Sequence, residues 1–368
     1  MFALSGRFPN FGSGLAMSTK HRTLISSKEA QAPFFVGVDV GGTSIKIGVV
    51  DDFGRSLDSG EVDDDGKQRS FISIRTEPHP QTATELLSKT IHDLLKQLRL
   101  AKENCKGVGL GIPGTMDMQT RKLRQPPNLH SWEGYPMCDE LTRLSGFPVV
   151  FCNDANAAAY GEYWVGSASG KPSMALLTLG TGIGCGIIIE GRSIDGATGY
   201  GGECGHLVID MSENAMICGC GQRGHLEAYA SASGVARRTM ALTDRRESSI
   251  RSRISPETRL SEIAKIVYQE AEKGDTLAYE IVMETAKCLS LGIVSLLNTV
   301  DPACILLGGA MTFGGSESQL GQRFLDQVRK EVKNRSFKAI AADIVIDFAV
   351  LGSDAGFIGA AGLARERS

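Results

Sequence analysis

The chain has 368 residues, 42% hydrophobic and 22% charged, with a net charge of -3. That length favours two domains over a single core. The charge balance offers no basic field for nucleic acid, and no apolar run is long enough to cross a bilayer. Nine cysteines in a chain of this size do not suggest a disulfide framework.

Residues 1–33 are rich in Ser, Gly and basic residues, and the first acid is Glu29. A disordered tail is expected there. Order is expected from Phe34, where Phe34-Phe35-Val36-Gly37-Val38-Asp39 reads as a buried strand. Ile45 to Val50 is a second strand, so the glycines between them make a hairpin. The acidic run Glu61 to Asp65 reads as a solvated loop. Thr82 to Leu100 carries apolar residues at helical spacing. Val149 to Cys152 is a strand, Ala155 to Val165 an Ala-rich helix, and Ser173 to Leu179 with Gly184 to Glu190 a second strand–turn–strand unit. Helices follow over 260–272, 276–298 and 319–333, with strands at 304–307 and 344–348. The Arg-rich stretch Thr243 to Pro256 reads as a solvated loop. Two strand–glycine–strand units suggest two similar halves facing each other across a cleft.

Five segments carry chemistry. In Asp39-Val40-Gly41-Gly42-Thr43-Ser44-Ile45-Lys46, glycines let backbone N–H groups approach a phosphate, Thr43 adds a hydroxyl donor and Lys46 a point charge. Asp39 at the strand end suits the water shell of Mg²⁺. Gly180-Thr181-Gly182-Ile183-Gly184 repeats the theme. A strand follows it, whereas a Rossmann turn opens a helix. Asn153-Asp154 stands where a strand ends and a helix begins. Asp154 is an N-cap candidate; the pair also suits a polyol, the amide donating and accepting and the carboxylate taking a hydroxyl proton. A helix N-terminus is expected to lower the Asp154 pKa. Between His206 and His225, the Cys218-Gly-Cys220-Gly core and the two histidines form a Cys₂His₂ set of the kind zinc prefers, with Glu203 and Glu227 left free for hydroxyls. Finally, Leu307-Gly308-Gly309-Ala310 is a strand running into a turn that a flat base could lie against.

Together these segments resemble the ROK family of repressors and sugar kinases, within the actin-like ATPase superfamily. The resemblance runs from Phe34 to the chain end. Asp39-x-Gly-Gly-Thr-x-x-Lys46 and Leu179-Gly-Thr-Gly-Ile-Gly184 are similar to the family's two phosphate motifs, and Leu307-Gly-Gly-Ala310 to its adenosine motif. Asn153-Asp154, Glu203-Cys-Gly-His206 and Pro127-Asn128-Leu129 with Trp132 are similar to its sugar motifs. The resemblance implies a two-domain α/β fold of the actin-like (ribonuclease H-like) type with a cleft and a zinc-binding loop. The expected bounds are 34–148 for the first domain, 149–353 for the second, a knot at 206–227, and a helix at 354–366 returning to the first domain. It implies an ATP-dependent hexose kinase, foremost for glucose, or else for N-acetylmannosamine, N-acetylglucosamine, fructose or allose. Mg²⁺ and structural Zn²⁺ would be cofactors, Asp154 the catalytic residue, and Asn128, Asn153, Asp154, Glu203, His206 and Glu227 the sugar ligands. A cytoplasmic homodimer or homotetramer is implied. A sugar-responsive repressor is the lesser alternative, since the 33 residues before Phe34 are too few for a winged helix-turn-helix. The family's zinc knot has a third Cys where this chain has His225.

Overall fold

A computed structural model of the protein describes residues 24–117 and 119–368. The first part runs β1 (Phe34–Val40), β2 (Ser44–Val50), β3 (Phe71–Arg75), α1 (Pro80–Gln97), β4 (Cys105–Ile112), the short ribbon β5 (Thr115–Met116) and β6 (Leu123–Arg124), α2 (Met137–Ser145) and β7 (Val149–Asn153). Then come α3 (Asp154–Val165), β8 (Ser173–Leu179), β9 (Ile183–Ile189), β10 (Arg192–Ser193), α4 (Leu226–Ala230), α5 (Ala232–Thr243), α6 (Leu260–Glu272), α7 (Thr276–Val300), β11 (Cys304–Gly308), α8 (Gln319–Arg335), α9 (Lys338–Asp343), β12 (Val345–Phe348) and α10 (Ala355–Glu366).

Among the described residues these strands build two five-stranded sheets with one topology. The orders are β3-β2-β1-β4-β7 and β10-β9-β8-β11-β12. In each, three antiparallel strands are followed by two parallel ones. The parallel strands β4 and β11 are near-continuous apolar runs, as strands covered on both faces must be. The duplication read from the two hairpins is therefore a duplication of whole sheets.

The helices that follow the last strand of each sheet are exchanged. α3 leaves β7 and packs on β8 and β9 of the other sheet; α10 leaves β12 and packs on β1 and β4 of the first. α3 and α10 also lie against each other. Glycines permit this approach. A Cβ on Gly37 would overlap the Phe357 carbonyl, one on Gly109 the Ala360 carbonyl, and one on Gly359 the Ala157 carbonyl.

Three expectations are corrected. The tail expected over 1–33 lies outside the described residues up to residue 23, but residues 24–33 pack on the first sheet's domain. There Ile25 is buried and bridges Leu57. The boundary at 148/149 would cut a sheet, because β7 pairs along β4 from Val108↔Val149 to Ile112↔Asn153. The Arg-rich stretch after Thr243 is anchored: Ser249–Arg253 is a 3₁₀ turn, Arg253 pairs with Glu270 at 2.6 Å and Arg246 with Glu280 at 2.6 Å. Its arginines answer acids on α6 and α7, which only the tertiary fold brings within reach.

Candidate functional site

The two glycine hairpins are tight. Gly41 N–H donates to the Ser44 carbonyl at 2.9 Å, and Gly180 N–H to the Gly182 carbonyl at 3.0 Å. Behind the first, Asp39 and Lys46 are cross-strand neighbours. Behind the second, α5 is docked by its N-terminus: Ala232 N–H donates to Gly180 O at 2.9 Å and Ser233 Oγ to Thr181 O at 2.8 Å. Gly309, at φ 91°, turns the chain where a Cβ would overlap the Leu179 backbone.

A cavity of about 410 Å³ lies between the sheets. Asp39, Lys46, Asp154, Gly308 and Gly309, from four separate elements and turns, line it together. The hairpin residues Gly41, Gly42, Thr43, Gly180, Thr181, Gly182 and Gly184 are not in its wall. The wall also holds residues that sequence reasoning missed. Thr178 and Glu162 come from a strand and a helix interior, and Thr312 with Gly314 to Glu317 from the loop after β11. None of these carries a motif; only strand pairing brings them to the cleft.

Asp39 and Asp154 are both half-buried carboxylates, each drawn back from bulk water into the cavity wall. Burial pushes Asp39 up to about 6, opposed by Lys46 and reinforced by the Asp154 charge. Burial also raises Asp154, against the Ala155 N–H that its carboxylate accepts, and the Glu203 charge adds to the rise. This corrects the expectation of a lowered pKa. The helix N-terminus is present, but loss of water outweighs it. Nor is Asp154 the cap. Asn153 caps α3, accepting from Ala155 N–H at 2.9 Å and Asn156 N–H at 3.3 Å, and its amide donates to Gly114 O at 3.0 Å.

Asn128 sits at the tip of a loop in a left-handed conformation, φ 61°. Trp132 anchors that loop: its ring is fully buried and its Nε1–H donates to Glu77 O at 3.2 Å. A Cβ on Gly42 would meet Asn128 Cβ at 3.3 Å, so the first hairpin and the Asn128 loop touch.

Opposite, Glu203 and His206 flank a 3₁₀ turn, with His206 Nε2 3.7 Å from the Glu203 carboxylate. His206, Cys218, Cys220 and His225 converge, and their ligand atoms all lie within 4.8 Å of one another. His206 Nδ1 is 3.2 Å from His225 Nδ1, and Cys220 Sγ is 3.3 Å from that same nitrogen. These separations are the edges of a tetrahedron small enough for one ion with bonds of about 2.0–2.3 Å, so the donor set fits zinc. Glu227 is not free as expected. Its carboxylate, two residues after the knot ligand His225, accepts the Ile183 N–H at 2.9 Å. It therefore ties the knot to the second hairpin.

Among the described residues no helix is long and apolar enough to cross a membrane. The ROK family model matches residues 35–367. The chain is 33% identical over 335 residues to a glucokinase of Halalkalibacterium halodurans, covering 91% of this chain and 96% of that protein. It superposes on a ROK hexokinase from Thermus thermophilus with a TM-score of 0.73 and 28% identity, covering 91% of this chain and 100% of that one. A ROK family glucokinase from Streptomyces griseus, solved in complex with glucose and AMPPNP, gives a TM-score of 0.67 and 29% identity over 90% of this chain and 99% of that one. These neighbours share the two-domain actin-like architecture described above. With nearly the whole described chain matched and both duplicated hairpins in place, this protein belongs to the ROK family.

Proposed function

We propose that the chain phosphorylates glucose at the expense of ATP, giving glucose 6-phosphate and ADP. The observation that carries this reading is that Asp39, Lys46 and Asp154 line one cavity. A lysine to meet phosphate charge, one carboxylate to hold Mg²⁺ and another to take a proton would serve the transfer of a phosphoryl group to a hydroxyl. The relatives named glucokinase select the sugar within that class.

The nucleotide would lie along Gly308, Gly309 and Thr312, with its phosphates toward Lys46 and the hairpins at Gly41–Thr43 and Gly180–Gly184. Mg²⁺, when bound, would neutralise charge developing between the outer phosphates, and Asp39 is placed to hold its water shell. Asp154 accepts the hydroxyl proton. Because phosphoryl transfer passes through a loose transition state, its task is chiefly to aim the hydroxyl and take the proton late. The raised pKa favours that task, since a more basic carboxylate accepts a proton more readily. Asn128, Glu203 and His206 would hold the remaining hydroxyls. Asn153 and Glu227 each keep hydrogen-bonding capacity beyond their structural contacts, through a second amide proton and further carboxylate lone pairs, and would complete the ring of ligands.

Zinc held by His206, Cys218, Cys220 and His225 would fix the turn that presents Glu203. We place the protein in the cytoplasm as a homodimer or homotetramer. The decisive test is an ADP-release assay over glucose, mannose, fructose, allose and the N-acetylhexosamines. Turnover on glucose at least about tenfold above any other sugar is expected, a margin that one or two pocket contacts supply. No turnover on any hexose overturns the reading.

A further inference from the structure

Glu162 is a carboxylate with no exposed surface, in the wall of the nucleotide cavity, and no step above uses it. It sits near the end of α3. One oxygen accepts both Val350 N–H at 2.9 Å and Leu351 N–H at 2.7 Å, and the other accepts Ser167 N–H at 2.9 Å. Three backbone donors on one buried carboxylate form a strong clasp. It pins the segment that leaves β12 to the helix that leaves β7, and these are the two places where the chain crosses between the sheets.

Two residues farther on, the same segment is held from the other side. Lys46 Nζ donates to Ser353 O at 2.8 Å, and Ser70 Oγ donates to the Asp354 carboxylate at 2.7 Å. Lys46 and Ser70 belong to the first sheet's domain. Between the two clasps stands Gly352, at φ 54° with open space where a Cβ would be. The same lysine that lines the cavity is thus engaged by the crossing segment.

We infer that Glu162 is a positioning residue: by fixing residues 350–351 it sets where Ser353 O holds Lys46, and hence how the lysine is presented to the nucleotide. The inference rests on the kinase reading for its ligand. When phosphate takes Lys46, the Ser353 end of the segment is released while the Glu162 end stays pinned, which leaves Gly352 as the pivot between the domains.

The test compares Glu162→Ala, Glu162→Gln and Glu162→Asp in the full chain, with AMPPNP and glucose binding measured by calorimetry beside steady-state turnover. Glu162→Ala should weaken AMPPNP binding and raise KM for ATP about tenfold, with the glucose Kd within about twofold. Gln keeps an oxygen for Val350 and Leu351 and should restore ATP binding to within about threefold of wild type. Asp keeps the charge but is one methylene short, and should behave like Ala; it stands in for Ala if that variant does not fold. In a Lys46→Met background the Glu162 substitutions should cost less than about twofold in nucleotide affinity, because their effect runs through the lysine. Losses that multiply independently of Lys46, or fall equally on glucose and ATP, overturn the inference. A wild-type chain that binds AMPPNP yet phosphorylates no hexose removes the kinase reading but leaves the clasp to be judged on AMPPNP binding alone.

Discussion

Asp154→Asn separates catalysis from folding. The substitution keeps shape and keeps an oxygen for the Ala155 N–H, so the start of α3 should survive. What it removes is the proton acceptor, and general-base groups typically contribute 10²–10⁴ in rate, or about 3–5 kcal/mol of barrier. Turnover should fall by that factor while the Kd of glucose changes little. Stability should move the other way. Burial raises the Asp154 pKa, so the folded state holds the charged form at a disadvantage. That penalty is absent below the ordinary carboxylate value of about 4 and grows as pH rises through the folded pKa. The Asn variant should therefore melt higher than wild type at pH 7.5, with the gap closing toward pH 4. Coupled ADP release gives the rate, and a thermal melt across pH gives the stability. A variant within tenfold of wild-type turnover would refute the role of Asp154. One that melts lower at pH 7.5 and equally at pH 4 would refute the burial argument.

The remaining predictions concern the cleft, the cap and the knot. Because Asp39 is held near 6 and must be charged to hold the Mg²⁺ shell, kcat/KM for ATP should fall as pH drops below about 6. Lys46 opposes that rise, so Lys46→Met should move the acid limb to higher pH; a limb that stays put would remove Asp39 from it. Asn153→Ala removes a cap of about 1 kcal/mol and the bond to Gly114, so denaturant melts should show a loss of about 2 kcal/mol. An unchanged midpoint would show that the cap is idle. Purified protein should carry about one zinc per chain, lost in His225→Ala. Chelation should raise KM for glucose more than KM for ATP, since the knot bears on Glu203; metal-free protein with a normal glucose KM would dissociate knot from sugar site.

Much of this was legible locally. Each glycine hairpin is encoded within one short stretch, 34–50 and 173–189, as an apolar run, a glycine-rich turn and a second apolar run. The long helices α7 and α8 announce themselves by periodicity. The pattern failed where context decides. β3, Phe71-Ile72-Ser73-Ile74-Arg75, is a five-residue edge strand with no fully buried residue, and its short apolar run is lost in the polar segment that precedes it. α2 and α4 are too short for periodicity to register. The candidate site divides the same way. Asp39, Lys46, Asp154 and the four knot ligands sit in motifs. Glu162, Thr178 and the loop at 312–317 matter only because two sheets meet. The direction of the Asp154 pKa was misread for that reason, since a helix terminus is local and burial is not. Likewise the occupancy of Glu227 depends on Ile183, 44 residues away.

The seam between α3 and α10 has a mechanical consequence. Gly161 faces the Ala355 carbonyl and Gly359 the Ala157 carbonyl, so the two helices meet backbone to backbone with methyl groups beside them. Interlocked side chains would have to climb out of one set of grooves and drop into another whenever the sheets turned. Over that stretch the seam has almost no relief; farther along, the Tyr160 and Trp164 rings of α3 lie over Gly362 of α10. The glycine stretch would act as a plain bearing, on which one half of the molecule rolls over the other about the ring contact, while the large side chains of the two cores, Trp132 and Phe324 among them, stay seated on their own sides.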